Sequence, residues 1–310
     1  MSPRDELARV EALQRTFARP RPDVLVGIGD DAAVLTACTG DLVLSVDVQV
    51  EDVHFRRGWL SMRDLGWRAV NAALSDLAAM GAEARGVLLS LVLPGDFDDD
   101  ELDALVQGAA VACDQAGTSV VGGNLARGGE LSVTTTVIGD ATGPSLTRAG
   151  AAAGDGVFVT GALGASALAV AAFEAGRGDE EVFGPFVARF RRPVARLALG
   201  RQIRMLATAA ADISDGLIAD LGQVCRPSRV GARIDTSLVP TLPGHAAAAG
   251  LLGRDPVHLA LAGGEDYELV FTAKVSVATQ IGVITEEQDV VCLDEGGVAL
   301  SGTFGGFDHF

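Results

Sequence analysis

The chain has 310 residues, 48% of them hydrophobic, and a formal net charge of −17 at pH 7. That length is more than one core usually fills, so two domains are expected. The acidity argues against nucleic acid and anionic membrane surfaces as partners.

In chain order, residues 4–17 read as a short amphipathic helix, with Leu7, Val10, Leu13 and Phe17 at helical spacing. Residues 42–48, LVLSVDV, read as a strand. Residues 63–80 read as a helix whose core stripe is Val70, Leu74, Leu77 and Met80. GVLLSLVL (86–93) is a buried strand closed by Pro94-Gly95, and a helix follows from about Asp98 to Ala116. Strands are predicted at 118–121 and 131–138, the second alternating and rich in β-branched residues. Gly122-Gly123-Asn124 and Arg127-Gly128 read as a glycine turn between them. The Ala-, Gly- and Thr-rich stretch 141–156 has no apolar period and is the candidate domain boundary, giving domains at 1–145 and 146–310. Beyond it, strands are expected at 157–161, 205–213 and 268–273, and helices at 164–176 and 215–225.

Four cysteines, Cys38, Cys113, Cys225 and Cys292, form no CxxC pair and no zinc spacing. They read as reduced thiols of a cytoplasmic protein. The N-terminus lacks an apolar signal core, and no apolar run is long enough to span a membrane.

Acids recur in Gly- and Ser-flanked segments: Gly29-Asp30-Asp31, Ser45-Val46-Asp47, Ser75-Asp76, Asp212-Ile213-Ser214-Asp215-Gly216 and Gly263-Gly264-Glu265-Asp266-Tyr267-Glu268. Mg²⁺ takes oxygen ligands, usually one or two carboxylates shared with substrate phosphates. Acids gathered at strand ends and turns therefore suit several metal ions around a polyphosphate. Each segment also has a plainer reading. Asp30 fits a surface turn, His54 a structural histidine, and Ser214 or Asp215 a helix cap. Asp76 is harder to dismiss, because a carboxylate inside a helix of small and apolar residues needs partners or a metal. The backbone N–H groups at the start of helix 215–225 suit a phosphate. No GxxxxGK[ST] loop, HRD or DFG occurs, so P-loop and protein-kinase chemistry are excluded.

The stretches GIGDDAAVL (27–35), SVDVQVEDVHF (45–55), NAALSDLAAMGA (71–82), DISDGL (212–217), GGEDYELVFTA (263–273) and GFDHF (306–310) occur in that order. Together they resemble the thiamine-monophosphate kinase family, of the superfamily that includes aminoimidazole-ribonucleotide synthetase and selenophosphate synthetase. The resemblance covers nearly the whole chain. It implies a two-domain α/β fold: an N-terminal mixed sheet forming a β-barrel shared across a homodimer, and a C-terminal α/β domain closing an active-site cleft. It implies ATP as co-substrate, several Mg²⁺ ions, and phosphorylation of thiamine monophosphate to thiamine diphosphate by in-line transfer.

Carried over position by position, Asp30, Ser45, Asp47, Asp76, Asp212 and Asp215 match metal ligands, and Asn124 stands at a further metal position. Gly123, Arg148 and Ser214 match ATP contacts. His54 and Glu265 match substrate contacts, with Phe307 as the aromatic that stacks on the thiamine ring. The acceptor is an ionised phosphate, so no catalytic base is assigned.

Two positions depart from the family pattern. Val46 replaces a threonine, and Asn124 replaces an aspartate, giving an uncharged oxygen donor. These changes leave two alternatives: a divergent paralogue that uses the ATP site on another small substrate, and a nucleotide-binding homologue with weakened catalysis.

Overall fold

The computed structural model describes residues 6–275 and 279–300, so Phe307 and the GFDHF tail lie outside the described residues. The chain divides into two units. One holds residues up to Leu77 with Ala82–Gly143; the other holds Ala78–Gly81 with the chain from Pro144 onward.

The N-terminal unit contains α1 (Glu6–Phe17), β1 (Val24–Val26), β2 (Val34–Leu35), β3 (Asp41–Val50), α2 (Met62–Ala79), β4 (Glu83–Leu93), α3 (Asp99–Ala116), β5 (Val120–Arg127) and β6 (Ser132–Ala141). β1 and β2 pair antiparallel. The other strands form a four-stranded mixed sheet in the order β3-β6-β4-β5, with only β4 and β5 parallel. Strand alternation gives this sheet two different faces. Val87, Leu89 and Leu91 of β4, with Val133, Thr135 and Val137 of β6, are buried. They share the core with Leu65, Val70, Leu74 and Leu77 of α2, and with Leu102, Leu105 and Ala109 of α3. α3 starts on a capping box: Asp98 Oδ1 accepts from Glu101 N at 2.7 Å, and Glu101 Oε2 accepts from Asp98 N at 3.2 Å. The sheet's other face is open. Leu42, Leu44 and Val46 of the edge strand β3 are 58%, 60% and 62% exposed. Among the described residues the sheet does not close into a barrel.

The glycine turn expected at 122–128 is strand instead. β5 runs through it in parallel register with β4, pairing Gly123 with Leu89 and Asn124 with Ser90. Gly123 is at φ 157°, and a Cβ there would lie 1.9 Å from the Leu89 carbonyl oxygen. The glycine thus lets two parallel strands approach where any side chain would force them apart.

The C-terminal unit contains β7 (Gly156–Val159), α4 (Ala165–Glu174), α5 (Gly184–Arg191), α6 (Leu197–Ile203), β8 (Ala207–Asp212), α7 (Leu217–Ser228), β9 (Gly231–Asp235), α8 (His245–Leu251), α9 (Pro256–Ala262), β10 (Leu269–Ala273), β11 (Thr279–Thr285) and β12 (Val290–Leu293). Its sheet has the order β12-β9-β11-β7-β10-β8, with only β12 and β9 parallel. Val157, Val159, Val270, Ile234 and Ile281 pack with Leu217, Leu221 and Val224 of α7 into one core. Among the described residues no helix is long and apolar enough to cross a membrane. All four cysteines are free.

Candidate functional site

In the N-terminal unit, Ser45 and Asp47 stand two apart on β3. They share the sheet face on which Val137 and Thr135 are buried. Asp76, on α2, meets them there: the Ser45 hydroxyl donates to Asp76 Oδ2 at 2.5 Å. Asp47 accepts from Val48 N at 2.8 Å and from Gln49 Nε2 at 3.4 Å. Burial pushes Asp47 up to about 6, and the charge of Asp76 adds to the push. The buried cation near this pair is Arg68, which donates to Gln49 Oε1 at 3.3 Å and partly offsets the shift. Sequence reasoning missed Arg68 and Gln49. The one signal was an arginine set in the same apolar helix as Asp76.

Asp30 is exposed, and its Oδ1 takes the Asp31 N–H at 2.8 Å. His54 accepts from Val50 N at Nδ1, 3.1 Å away, so in the neutral ring the proton sits on Nε2. The register puts Asn124 in the row of Ser90, Thr134 and Val48, on the face opposite Asp47. Asp47 lies on one edge strand and Asn124 on the other, three strand spacings of about 4.8 Å away. A single sheet does not bring them together.

In the C-terminal unit the two acidic segments run side by side as an extension of the β8–β10 ladder. Leu269 pairs with Asp212; Ile213 N donates to Glu268 O at 2.7 Å, Tyr267 N to Ile213 O at 2.9 Å, and Glu265 N to Ser214 O at 2.7 Å. Glu265 and Tyr267 adopt φ of 66° and 51°, a left-handed conformation that costs non-glycine residues energy. Asp212 is buried, and Ser214, Asp215 and Glu265 are half-buried. Arg148 is exposed, and its carbonyl accepts from Ser228 Oγ at 3.4 Å.

Three neighbouring acids turn out to brace this loop pair. Glu268, 1% exposed, binds the Arg196 guanidinium through both carboxylate oxygens, Arg189 Nη2 at 2.9 Å and Thr160 Oγ1 at 2.7 Å. Asp266 accepts from Gly164 N at 2.6 Å and Ser166 N at 3.3 Å. It thereby caps α4, whose own N-cap Gly164 has no side chain. Burial pushes Asp266 up to about 7. Asp220, in the first turn of α7, accepts with one oxygen from Ser214 N, Asp215 N and Gly216 N at 3.1, 3.0 and 3.1 Å. The N–H groups of residues 214–216, just ahead of the helix, are therefore taken by a carboxylate. The expected side-chain cap is also absent, since the N-cap is Gly216. Burial pushes Asp220 up to about 7, with Asp215 adding to the shift.

Asp47 and Asp76 present carboxylate oxygens and Ser45 a hydroxyl, and the charge of Asp76 raises Asp47 although Arg68 offsets part of that push. That set suits a hard divalent cation. Among the described residues no group of three or more His, Cys, Asp or Glu side chains is placed to hold a metal ion.

Residues 29–141 match AIR synthase related protein, N-terminal domain, and residues 152–294 match AIR synthase related protein, C-terminal domain. Both halves of that two-domain α/β architecture are thus present. Thiamine-monophosphate kinase of Halobacterium salinarum is 39% identical over 285 residues, 88% of this chain and 93% of the relative. The crystal structure of thiamine-monophosphate kinase from Stenotrophomonas maltophilia superposes with a TM-score of 0.82 at 34% identity, covering 93% of this chain and 96% of that one. AaThiL complexed with AMPPCP and TMP gives 0.81 at 30% identity, covering 98% and 97%. The chain belongs to the thiamine-monophosphate kinase family.

Proposed function

We propose that this chain is a thiamine-phosphate kinase that moves the γ-phosphoryl group of ATP, in line, onto the phosphate of thiamine monophosphate. The observation that carries the reading is the half-buried Ser45–Asp47–Asp76 cluster, in a chain 30% identical to a protein complexed with AMPPCP and TMP. Two acids that repel each other, a repulsion Arg68 offsets in part, suit a divalent cation and a phosphate. Asp30, Ser45, Asp47 and Asp76 would hold Mg²⁺ from the N-terminal unit, and Asp212 and Asp215 from the C-terminal unit. Bound Mg²⁺ supplies charge neutralisation between two anions that otherwise repel.

The remaining steps belong to the chain. Gly123, Arg148 and Ser214 contact ATP, and His54, Glu265 and Phe307 hold the acceptor. No side chain need remove a proton, because the attacking oxygen is already ionised.

The open face of β3 supports a homodimer. Leu42, Leu44 and Val46 leave an apolar stripe on an edge strand, which proteins usually cover. The expected barrel would close over this face, and Asn124, placed away from Asp47 by the register, would serve the site across the dimer.

ADP release from purified protein with ATP and Mg²⁺, with and without thiamine monophosphate, tests the reading. Turnover that depends on thiamine monophosphate is expected. ATP binding with turnover only on another acceptor would replace it with the paralogue that Val46 and Asn124 suggest, and binding with no turnover on any acceptor would make the chain a nucleotide-binding homologue.

A further inference from the structure

The turn between β8 and α7 has a feature that metal ligation and phosphate binding leave unexplained. The N–H groups of residues 214, 215 and 216 all point at one oxygen of Asp220. A helix start leaves its first N–H groups without partners, and consecutive N–H groups in a turn form a concave site for an anion. Here the chain supplies the anion itself. Asp220 is 1% exposed, and its backbone N donates to Gly216 O at 3.0 Å, so the carboxylate is fixed from behind by the helix it starts. The arrangement has an electrostatic cost, because Asp220 sits against Asp215, an acid of the same sign. An uncharged cap such as serine would satisfy a helix start without that repulsion.

We propose that Asp220 is a positioning residue for the metal ligands, its carboxylate standing in for a bound anion in the 214–216 turn. The inference rests on the proposed kinase reading. Asp212 is held on one side by its pairing with Leu269, and Ile213 by its bonds to Tyr267 and Glu268. From residue 214 onward the side-chain brace on the turn is Asp220. With three N–H groups converging on one oxygen, the backbone at Ser214 and Asp215 is fixed, and with it the origin of the Asp215 side chain.

The test is Mn²⁺ binding to the full chain in the presence of non-hydrolysable AMPPCP, read by electron paramagnetic resonance, for wild type, Asp220→Asn and Asp220→Ala. Asn keeps an acceptor oxygen in place without the charge; Ala removes it. Outer-shell partners of metal ligands typically carry 10- to 100-fold in metal affinity, so the Ala variant should bind Mn²⁺ at least about tenfold more weakly and the Asn variant should lie between it and wild type. Circular dichroism and a melting curve establish that each variant is folded. A folded Ala variant that binds Mn²⁺ within about twofold of wild type, well short of that outer-shell range, overturns the proposal. If the Ala variant does not fold, the same result for the Asn variant overturns it. Wild type that binds no Mn²⁺ with AMPPCP overturns the kinase reading and this inference with it, whereas normal wild-type binding with unaffected variants removes only the role of Asp220.

Discussion

In the N-terminal unit, Ser45, Asp47 and Asp76 project from a ten-residue strand and an eighteen-residue helix. The register of the sheet and the apolar stripe of α2 define these elements without them. In the C-terminal unit, Asp212, Asp215 and Glu265 ride on two short segments that other acids hold in place: Asp220, Asp266 and Glu268. The difference shows in the bracing acids and not in the site acids, since burial also raises Asp47, to about 6. Hydrogen bonds and a guanidinium hold two scaffold acids of the N-terminal unit below the ordinary carboxylate range. Asp140 is held by the Thr39 and Gly40 N–H groups and by Arg85, and Asp23 by Arg21 and Arg85. Burial instead pushes Asp220 and Asp266 up to about 7. A site on regular elements tolerates change around it, while a site on braced loops depends on its braces.

The strongest way to break this comparison is Glu268→Ala. It leaves two guanidiniums and the Thr160 hydroxyl facing a void where a fully buried carboxylate was. Breaking a buried ion pair by removing one partner costs about 3–5 kcal/mol. Urea unfolding should register a loss of that size. A loss below about 1 kcal/mol, the range of an exposed ion pair, would mean that Glu268 braces nothing.

Asp266→Asn probes a smaller effect through pH. Asp266 has its folded pKa raised from 3.8 to about 7, so between those values the folded chain holds more protons than the unfolded one. Its stabilising contribution is therefore complete below the unfolded pKa and is lost as pH rises through the folded one. Asparagine mimics the protonated form and should escape the loss. Between pH 4.5 and 8 the variant should gain on wild type by on the order of 2–4 kcal/mol in urea titrations. A gap that stays constant across this range would show that burial does not oppose ionisation here.

Asn124→Asp is the gentlest perturbation and falls in the other unit. Asn124 is exposed on an edge strand, so stability should change by less than about 0.5 kcal/mol. An added carboxylate should lower the Mg²⁺ concentration for half-maximal turnover by about threefold, a gain of under 1 kcal/mol. A loss of stability similar to that of Glu268→Ala would erase the contrast between the units.

The long periodic elements were legible in the sequence. α2, α3, β4 and β6 announce themselves by length and spacing. Of the short elements, β7, β8 and β10 were legible too, but α8 and β11 were not. α8 is seven residues of mostly alanine, and β11 is interrupted at Gly282, so neither shows a period to read. β5 beyond Val121 reads as a turn because its glycines signal turns locally, while its parallel pairing with β4 is set by residues 30 or more positions away. In the site, the motif acids stood out, but their division of labour did not. Glu265, Asp266 and Glu268 look alike in a four-residue window. They are told apart by Gly164, Ser166, Arg189, Arg196 and Thr160, about 70 to 110 residues away in the chain.

The close approach of β5 to β4 also has a genetic consequence. Any substitution at position 123 drives a Cβ toward the Leu89 carbonyl, so that codon is closed to drift. The next codon is open, and a single base change converts Asn to Asp. A frozen position and a reversible one thus stand side by side, and selection can adjust the charge of this strand without disturbing the contact that holds it in the sheet.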